Sequence, residues 1–330
     1  FVSLLAVAAA PAMAAPAPKE GWPAQLKFMA GPPGGNWFAL GSSLADMWSK
    51  NTISVTSSTG GGVSNIINAN GHKGDFGFSV TALLGAAIKG EQDFMGRPAK
   101  NAAILANLYT QYTYFIMRKD FAEKNGIKTV DDLVNKKLAF RFATLKTGTG
   151  SEFVVKNVFE SGFGIDYRKA FKEWGGTVEY ASYSGGADLI ADNHLDVFAF
   201  SVGKVAAIVM QIESTTDVVL LGMSQEALDK VGEAIGTVTF LIDRGIYKSV
   251  PASAEPVKVV GDYTSIVVRG DLDDQVVYDL CKSMYNNVEM LAKGVKDIAE
   301  LDPKTAVPAK GLESHPGAVK FWNEASGKIQ

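Results

Sequence analysis

Apolar positions along this chain switch repeatedly between a spacing of two and a spacing of three to four, and each switch marks an expected element. Leu26–Ala30 reads as a short strand, followed by the turn 31–35 (Gly-Pro-Pro-Gly-Gly). Trp37, Leu40, Leu44, Met47 and Trp48 then recur as one face of a helix. Ile53–Ser57 alternates as a strand does, and 59–62 (Thr-Gly-Gly-Gly) opens a helix carrying Val63, Ile66 and Ile67. Asp75–Ser79 is the next strand, Thr81–Lys89 the next helix, and Ala103–Leu108 another apolar strand. This alternation predicts a mostly parallel sheet covered on both faces.

From Gln111 the texture changes. The run 112–118 (Tyr-Thr-Tyr-Phe-Ile-Met-Arg) is β-rich, and 129–132 (Thr-Val-Asp-Asp) looks like the capped start of a short helix. Leu138–Phe142 reads as a strand, with a glycine-rich turn at 146–151 (Lys-Thr-Gly-Thr-Gly-Ser) and a helix through Phe153, Val154, Val158 and Phe159. Thr177–Tyr180 is a strand, 184–186 (Ser-Gly-Gly) leads a helix with Leu189 and Ile190, and Asp196–Phe200 is the strand after it. Strand Val218–Leu221, a helix from Gln225, the run Thr237–Asp243, a loop at Val257–Gly261 and a strand at Thr264–Val268 complete the alternation. Leu272, Val276, Leu280, Met284, Val288 and Leu291 mark one long amphipathic helix with Asp273 and Asp274 in its first turn. The segment from His315 to Trp322 reads as a short aromatic helix packing back on the body.

One pattern occurs twice. Gly61-Gly62 is followed by Ile66-Ile67, Asn70, His72, Asp75 and Phe78-Ser79-Val80; Gly185-Gly186 is followed by Leu189-Ile190, Asn193, His194, Asp196 and Phe200-Ser201-Val202. The echo is compatible with chance, and equally with two lobes of similar construction facing one cleft, where open α/β sheets bind ligands.

Composition narrows the function. With 330 residues, 47% hydrophobic and 20% charged, the chain is long enough for two domains with large cores. A net charge of −3 and no Lys/Arg cluster give nothing for nucleic acid or an anionic membrane to grip. A single cysteine, Cys281, excludes an internal disulfide and a cysteine-based zinc site, and its helical setting makes it a buried bystander. His72, His194 and His315 have no metal-ligand spacing. The first residues contain an apolar run, Val2–Ala10, and the small-x-small triplet Ala12-Met13-Ala14 of a signal-peptidase site. We therefore expect a truncated signal peptide at 1–14, a leader at 15–23, and export to a bacterial periplasm.

The candidate chemistry is a set of glycine-rich turns at helix starts, each with Ser or Thr beside it. Glycine admits close approach of backbone N–H groups, and a helix start offers unpaired donors with about half a positive charge. Such turns suit a carboxylate held by neutral donors. In other α/β proteins they are often purely structural. The chain lacks GxGxxG, GxxxxGK[ST] and GxSxG, so dinucleotide binding, nucleotide hydrolysis and serine-hydrolase chemistry have no motif to rest on. Arg141 either pairs a second carboxylate bidentately or packs at the surface or between lobes. Asn36 and Trp37 either touch a ligand or cap and pack the first helix. Tyr112 and Tyr114 read as strand residues near a lobe crossing.

Taken together, AGPPGGNWFALGSSLADMWSKN, SSTGGGVSNIINANGHKGDFGFS, YFIMRKDFAEKNGIKTVDDLVNKKLAF and the close KGLESHPGAVKFWNE resemble the TAXI family of TRAP-transporter solute-binding proteins, over about Lys27 to Glu324. The resemblance implies a periplasmic protein with two α/β lobes that closes on a small carboxylate such as glutamate or 2-oxoglutarate. It also implies delivery to a TRAP membrane permease driven by an ion gradient. Carried over by position, it implies ligand contacts at Asn36, Trp37, the turn Ser58, Thr59, Gly60, Gly61, and the turn Thr147, Thr149, Gly150, Ser151; Gly35, in the glycine turn before the first helix, is a candidate through the helix-start reading. The two strand-end serines, Ser79 and Ser201, join the candidates through the internal echo. Where the family often has Thr-Tyr-Tyr this chain has Asn36-Trp37-Phe38, and where it has Gln-Ser-Asp this chain has Ser79-Val80-Thr81. These departures argue against glutamate itself, and Arg141, where small residues are common, leaves room for a ligand of greater negative charge.

The expected architecture is thus an α/β, two-lobed periplasmic binding protein of type II topology, with the ligand cleft between the lobes. Lobe 1 comprises 24–111 and 238–330, lobe 2 comprises 112–237. The expected function is ligand capture without catalysis, as a monomer, with no cofactor, no metal and no nucleic acid. An ABC-type receptor and a sensory ligand-binding domain are the alternatives.

Overall fold

A computed structural model describes residues 19–308 and 311–327; the signal peptide expected at 1–14 lies outside them, as do 15–18 of the leader. Ten strands form one sheet: β1 (Leu26–Met29), β2 (Val55–Ser58), β3 (Phe76–Val80), β4 (Ala102–Arg118), β5 (Arg141–Thr144), β6 (Thr177–Tyr180), β7 (Val197–Gly203), β8 (Val218–Leu220), β9 (Val238–Ile242) and β10 (Val257–Arg269). Their order is β2-β1-β3-β10-β4-β7-β5-β6, with β8 on β4 and β9 on β10.

Two long strands organise this sheet. β4 pairs with β10 from Ala102 to Tyr112 and with β7 from Gln111 to Met117, so it changes partner at Gln111–Tyr112. β10 pairs with β9 up to Gly261 and with β3 from Thr264 onward. Each long strand therefore belongs to two sheet halves. The expected strand Ala103–Leu108 and the β-rich run after Gln111 are one 17-residue strand, and the expected loop Val257–Gly261 is the first part of β10. The sheet is also less parallel than expected. β1 pairs β2 and β3 in parallel, as β5 pairs β6 and β7, but every pairing of β4 and β10 is antiparallel. The period-two pattern reports a strand and not its direction, which the two long strands reverse.

The halves share one plan, the α/β layering of a two-lobed type II binding protein. In the first, β2, helix Gly62–Asn70 and β3 flank β1; in the second, β6, helix Tyr183–Ala191 and β7 flank β5. Helix starts follow local chemistry. Thr129 and Asp132 form a reciprocal capping box, Asp273 caps helix Asp274–Asn286, and His315 precedes Pro316 at the start of the last helix. The expected long helix breaks at Asn287 into Asp274–Asn286 and Val288–Ala292. The last helix packs back as expected: Trp322 is buried and its Nε1 donates to the Leu105 carbonyl of β4 at 2.8 Å. Cys281 is a free, fully buried thiol in the same core. No helix among the described residues is long and apolar enough to cross a membrane.

Candidate functional site

A tight pocket with a cavity volume of about 20 Å³ lies where the two halves face each other. The first half supplies Pro32, Gly35, Asn36, Trp37 and Gly61, and the second supplies Leu145, Thr149, Gly150, Ser151, Tyr183, Ser201 and Val202. Gln111, at the partner change of β4, forms part of its wall. Helices Asn36–Asn51, Gly62–Asn70, Gly150–Asn157 and Tyr183–Ala191 all begin at this pocket. Their N-termini present amide donors and the positive ends of four helix dipoles.

On the first side, Trp37 is held rather than free. Its Nε1 donates to Thr264 Oγ1 at 3.0 Å and its ring stacks on Phe78 with centroids 5.4 Å apart. Asn36 donates from Nδ2 to Asp297 Oδ2 at 2.6 Å, which commits one of its two amide N–H groups. Both residues line the pocket and are tied to the body at the start of the first helix, which has no side-chain cap. The strand ends behind them are tied by Asn65, which is fully buried. Its Nδ2 donates to the carbonyls of Met29, Ala30 and Phe78, and its Oδ1 accepts from Gly61 N. One side chain thus fixes β1, β3 and the glycine turn together. Asn65 was legible only as a polar residue between Val63 and Ile66 on the apolar face of a helix.

On the second side, Thr149 caps its helix by accepting from Glu152 N at 3.1 Å. Ser151 Oγ accepts from Ser201 N at 2.8 Å, which leaves the Ser151 hydroxyl proton to donate elsewhere. Ser201 Oγ shares a 2.8 Å hydrogen bond with Thr113 Oγ1, and Tyr183 OH donates to the Ser201 carbonyl at 2.6 Å. Burial pushes the Tyr183 hydroxyl well above the ordinary tyrosine range. Thr59, Gly60 and Thr147 stand further out, with Gly61, Thr149 and the exposed Lys146, around a vestibule at the cleft mouth.

The halves touch across the cleft at their glycine turns. A Cβ on Gly61 would lie 2.8 Å from Gly148 O, and one on Gly62 would lie 3.1 Å from Gly150 N. Gly35 faces Tyr183, whose Cε2 would be 2.5 Å from an added Cβ. Ser64 N donates to Gly148 O at 3.2 Å, a backbone hydrogen bond from one half to the other. The sequence pointed to these glycines as places where a ligand meets backbone. In the structure Gly61 and Gly62 are also where backbone meets backbone.

Besides Thr59, Gly60 and Thr147, three more expected positions lie outside the pocket, and these three do not line the vestibule either. Ser58 donates to the Phe28 carbonyl at 3.3 Å and Ser79 to the Gly62 carbonyl at 3.3 Å, so both fasten the first half internally. Arg141 stands at the opposite end of β5 from the glycine turn. Its Nε donates to Asp196 Oδ2 at 3.0 Å, its Nη2 to Asp196 and Asn193 Oδ1, and its Nη1 to the Asn193 carbonyl. The bidentate partner expected in a ligand is a carboxylate of the same lobe, which holds the guanidinium protonated above its ordinary range. Conversely, Gln111, Leu145, Tyr183 and Val202 line the pocket without having been expected to.

Two carboxyls stand near the seam. Asp297 accepts from Asn36 and from Val205 N at 3.4 Å, and burial raises its pKa to about 6. Asp262, opposite Gln111 in the β4–β10 ladder, is fully buried, its Oδ2 is without a partner among the described residues, and burial raises its pKa to about 8. No group of three or more His, Cys, Asp or Glu that could hold a metal occurs among the described residues.

The sequence model of the NMT1-like family matches residues 28–326. The chain belongs to that family. No curated protein sequence matches this NMT1-like chain. Among solved structures it is similar in fold to MatC from Rhodopseudomonas palustris with bound malate, at TM-score 0.53 and 14% identity over 93% of this chain and 98% of that one. It is similar to PhnD1 from Prochlorococcus marinus in complex with methylphosphonate, at TM-score 0.53 and 16% identity over 93% and 99%. The adipate complex of another R. palustris protein matches at TM-score 0.51 and 10% identity over 93% and 95%.

Proposed function

We propose that this NMT1-like chain is the periplasmic solute-binding subunit of a TAXI-type TRAP transporter. In this reading it captures a small carboxylate between two lobes, residues 24–111 with about 262–330 and residues 112 to about 261, and delivers it to an ion-gradient-driven permease. The observation that carries this is the pocket between the halves, walled by four helix starts and neutral hydroxyl and amide groups. Those groups favour an anion without burying an unpaired charge of their own. The solved structures with similar folds hold malate, adipate or methylphosphonate, which is in keeping with an anionic ligand. The permease type rests on the motif resemblance.

The mechanism is clamping. A ligand touching both halves binds the closed arrangement more tightly than the open one and draws the protein closed by that difference. β4 and β10, shared by both halves, are the segments that bend. Thermal melting with a panel of small carboxylates tests the reading, because a ligand bound only to the folded chain raises the midpoint. A clear rise is expected with at least one acid. Stabilisation by sugars, metals or nucleotides alone would overturn the reading. Uptake of the same acid, with and without a sodium gradient, in cells expressing the adjacent permease genes then checks the transporter type.

A further inference from the structure

Gln111 is 4% exposed, forms part of the pocket wall, and its Oε1 has no hydrogen-bond partner among the described residues. A buried amide left open toward a cavity is costly unless something in that cavity satisfies it. Its position is fixed by the fold: Gln111 pairs with Asp262 on one side and Gly203 on the other, at the point where β4 passes between the halves. The open atom is an acceptor, so it is satisfied by a donor, and the amide itself carries no charge.

Among the described residues, no charged side chain lines this pocket. Lys146 belongs to the outer vestibule, and Arg141 is engaged by Asp196 and Asn193. The helix starts answer one negative charge at the cleft. A second carboxylate pressed against Gln111 would meet no cation. An ammonium group fares no better: Asp297 stands behind Asn36 with its oxygens accepting from Asn36 and Val205 N. Asp262, beside Gln111, does not line the pocket, and burial keeps it protonated at neutral pH.

Resting on the carboxylate reading above, we infer that the ligand is a small monocarboxylic acid whose second polar group is an uncharged hydroxyl, and that Gln111, through its open Oε1, is the residue that reads this group. The helix starts take the carboxylate, and Gln111 Oε1 accepts from the neutral hydroxyl. Trp37, Leu145 and Val202 enclose the carbon skeleton between them.

The test is calorimetry on the full mature chain with acids of matched length: pyruvate and lactate, propionate, malonate, and alanine, with the four-carbon series as a second set. Lactate, or the four-carbon hydroxy acid, is expected to bind about tenfold or more above propionate or butyrate and above the matching oxo acid, the difference one satisfied hydrogen bond makes. Dicarboxylates and α-amino acids should bind more weakly still. Gln111→Leu should bring the hydroxy acid down to the level of the plain acid. If that variant does not fold, Gln111→Met with the wild-type panel carries the same comparison.

A dicarboxylate or amino acid as tightest ligand would overturn this inference and leave the carboxylate reading intact. Full discrimination retained in Gln111→Leu would remove Gln111 from its role. Binding of none of these acids, nor of longer carboxylates, would overturn both.

Discussion

The repeated pattern Gly-Gly…Phe-Ser-Val builds the same unit twice, a strand, a helix and a parallel strand, yet its residues do different physical work in the two copies. In the first copy Gly61 and Gly62 abut the backbone of the opposite half at Gly148 and Gly150. In the second copy a Cβ on Gly186 would run into Phe198, a fully buried ring of its own half. Ser79 faces its own helix start through the Gly62 carbonyl, whereas Ser201 lines the pocket and is bonded by Ser151, Thr113 and Tyr183. The pattern encodes the packing of a helix onto two strands. It does not encode which copy meets the ligand, because that depends on what lies across the cleft.

The contrast can be broken most strongly at the glycines. Gly186→Ala overpacks a core and should cost about 3 kcal/mol of stability, a fall of several degrees in melting midpoint, with the ligand affinity of the folded fraction unchanged. Loss of affinity without loss of stability would contradict the assignment. Gly61→Ala should do the reverse. Gly61 sits at φ −165°, an extended conformation open to any residue, so the ligand-free midpoint should hold. The added methyl would press on Gly148 O and disfavour the meeting of the halves by about 2 kcal/mol, a roughly thirtyfold loss of affinity by calorimetry. An unchanged Kd would show that the halves need not approach this closely.

Arg141→Ala sharpens the comparison from the far end of the second half. Removing the partner of the buried Asp196 should lower stability by about 1–2 kcal/mol, less than for a fully buried pair because the guanidinium is partly exposed. Affinity for every carboxylate should stay within twofold, and a selective loss for dicarboxylates would restore Arg141 to the site.

A pH-dependent effect belongs to the seam, where β10 passes from one half to the other at Asp262. Its pKa near 8 in the folded chain exceeds the ordinary carboxyl value of about 4. Between those values the folded chain keeps a proton that the unfolded chain has released, so this group's stabilising contribution falls as pH rises from about 4 to 8. Asp262→Asn should remove that slope, melting a few degrees above wild type at pH 8, with the gap closing toward pH 5. Parallel pH curves for the two proteins would show that Asp262 is not buried in this way.

Much of the molecule is legible in the chain. Local periodicity marks the units around β1–β3 and β5–β7, and side-chain chemistry marks helix starts at Thr129, Asp273 and His315, because both signals are complete within a few residues. Eight of the expected positions reach the pocket: Gly35, Asn36, Trp37, Gly61, Thr149, Gly150, Ser151 and Ser201. What the sequence could not contain is contact across long separations. Gln111 looks like any polar position in a strand until β4 is seen to exchange β10 for β7 at that residue and to turn the side chain toward the cleft. Arg141 looks like an anion ligand until Asp196, 55 residues on, takes it. The continuity of β4 and β10 is decided the same way, since a strand's length follows from the partners its backbone finds. Sequence alone determined the two building units and their helix starts; tertiary structure decided which glycines are a seam, which polar side chains stay open, and hence where a ligand can be held.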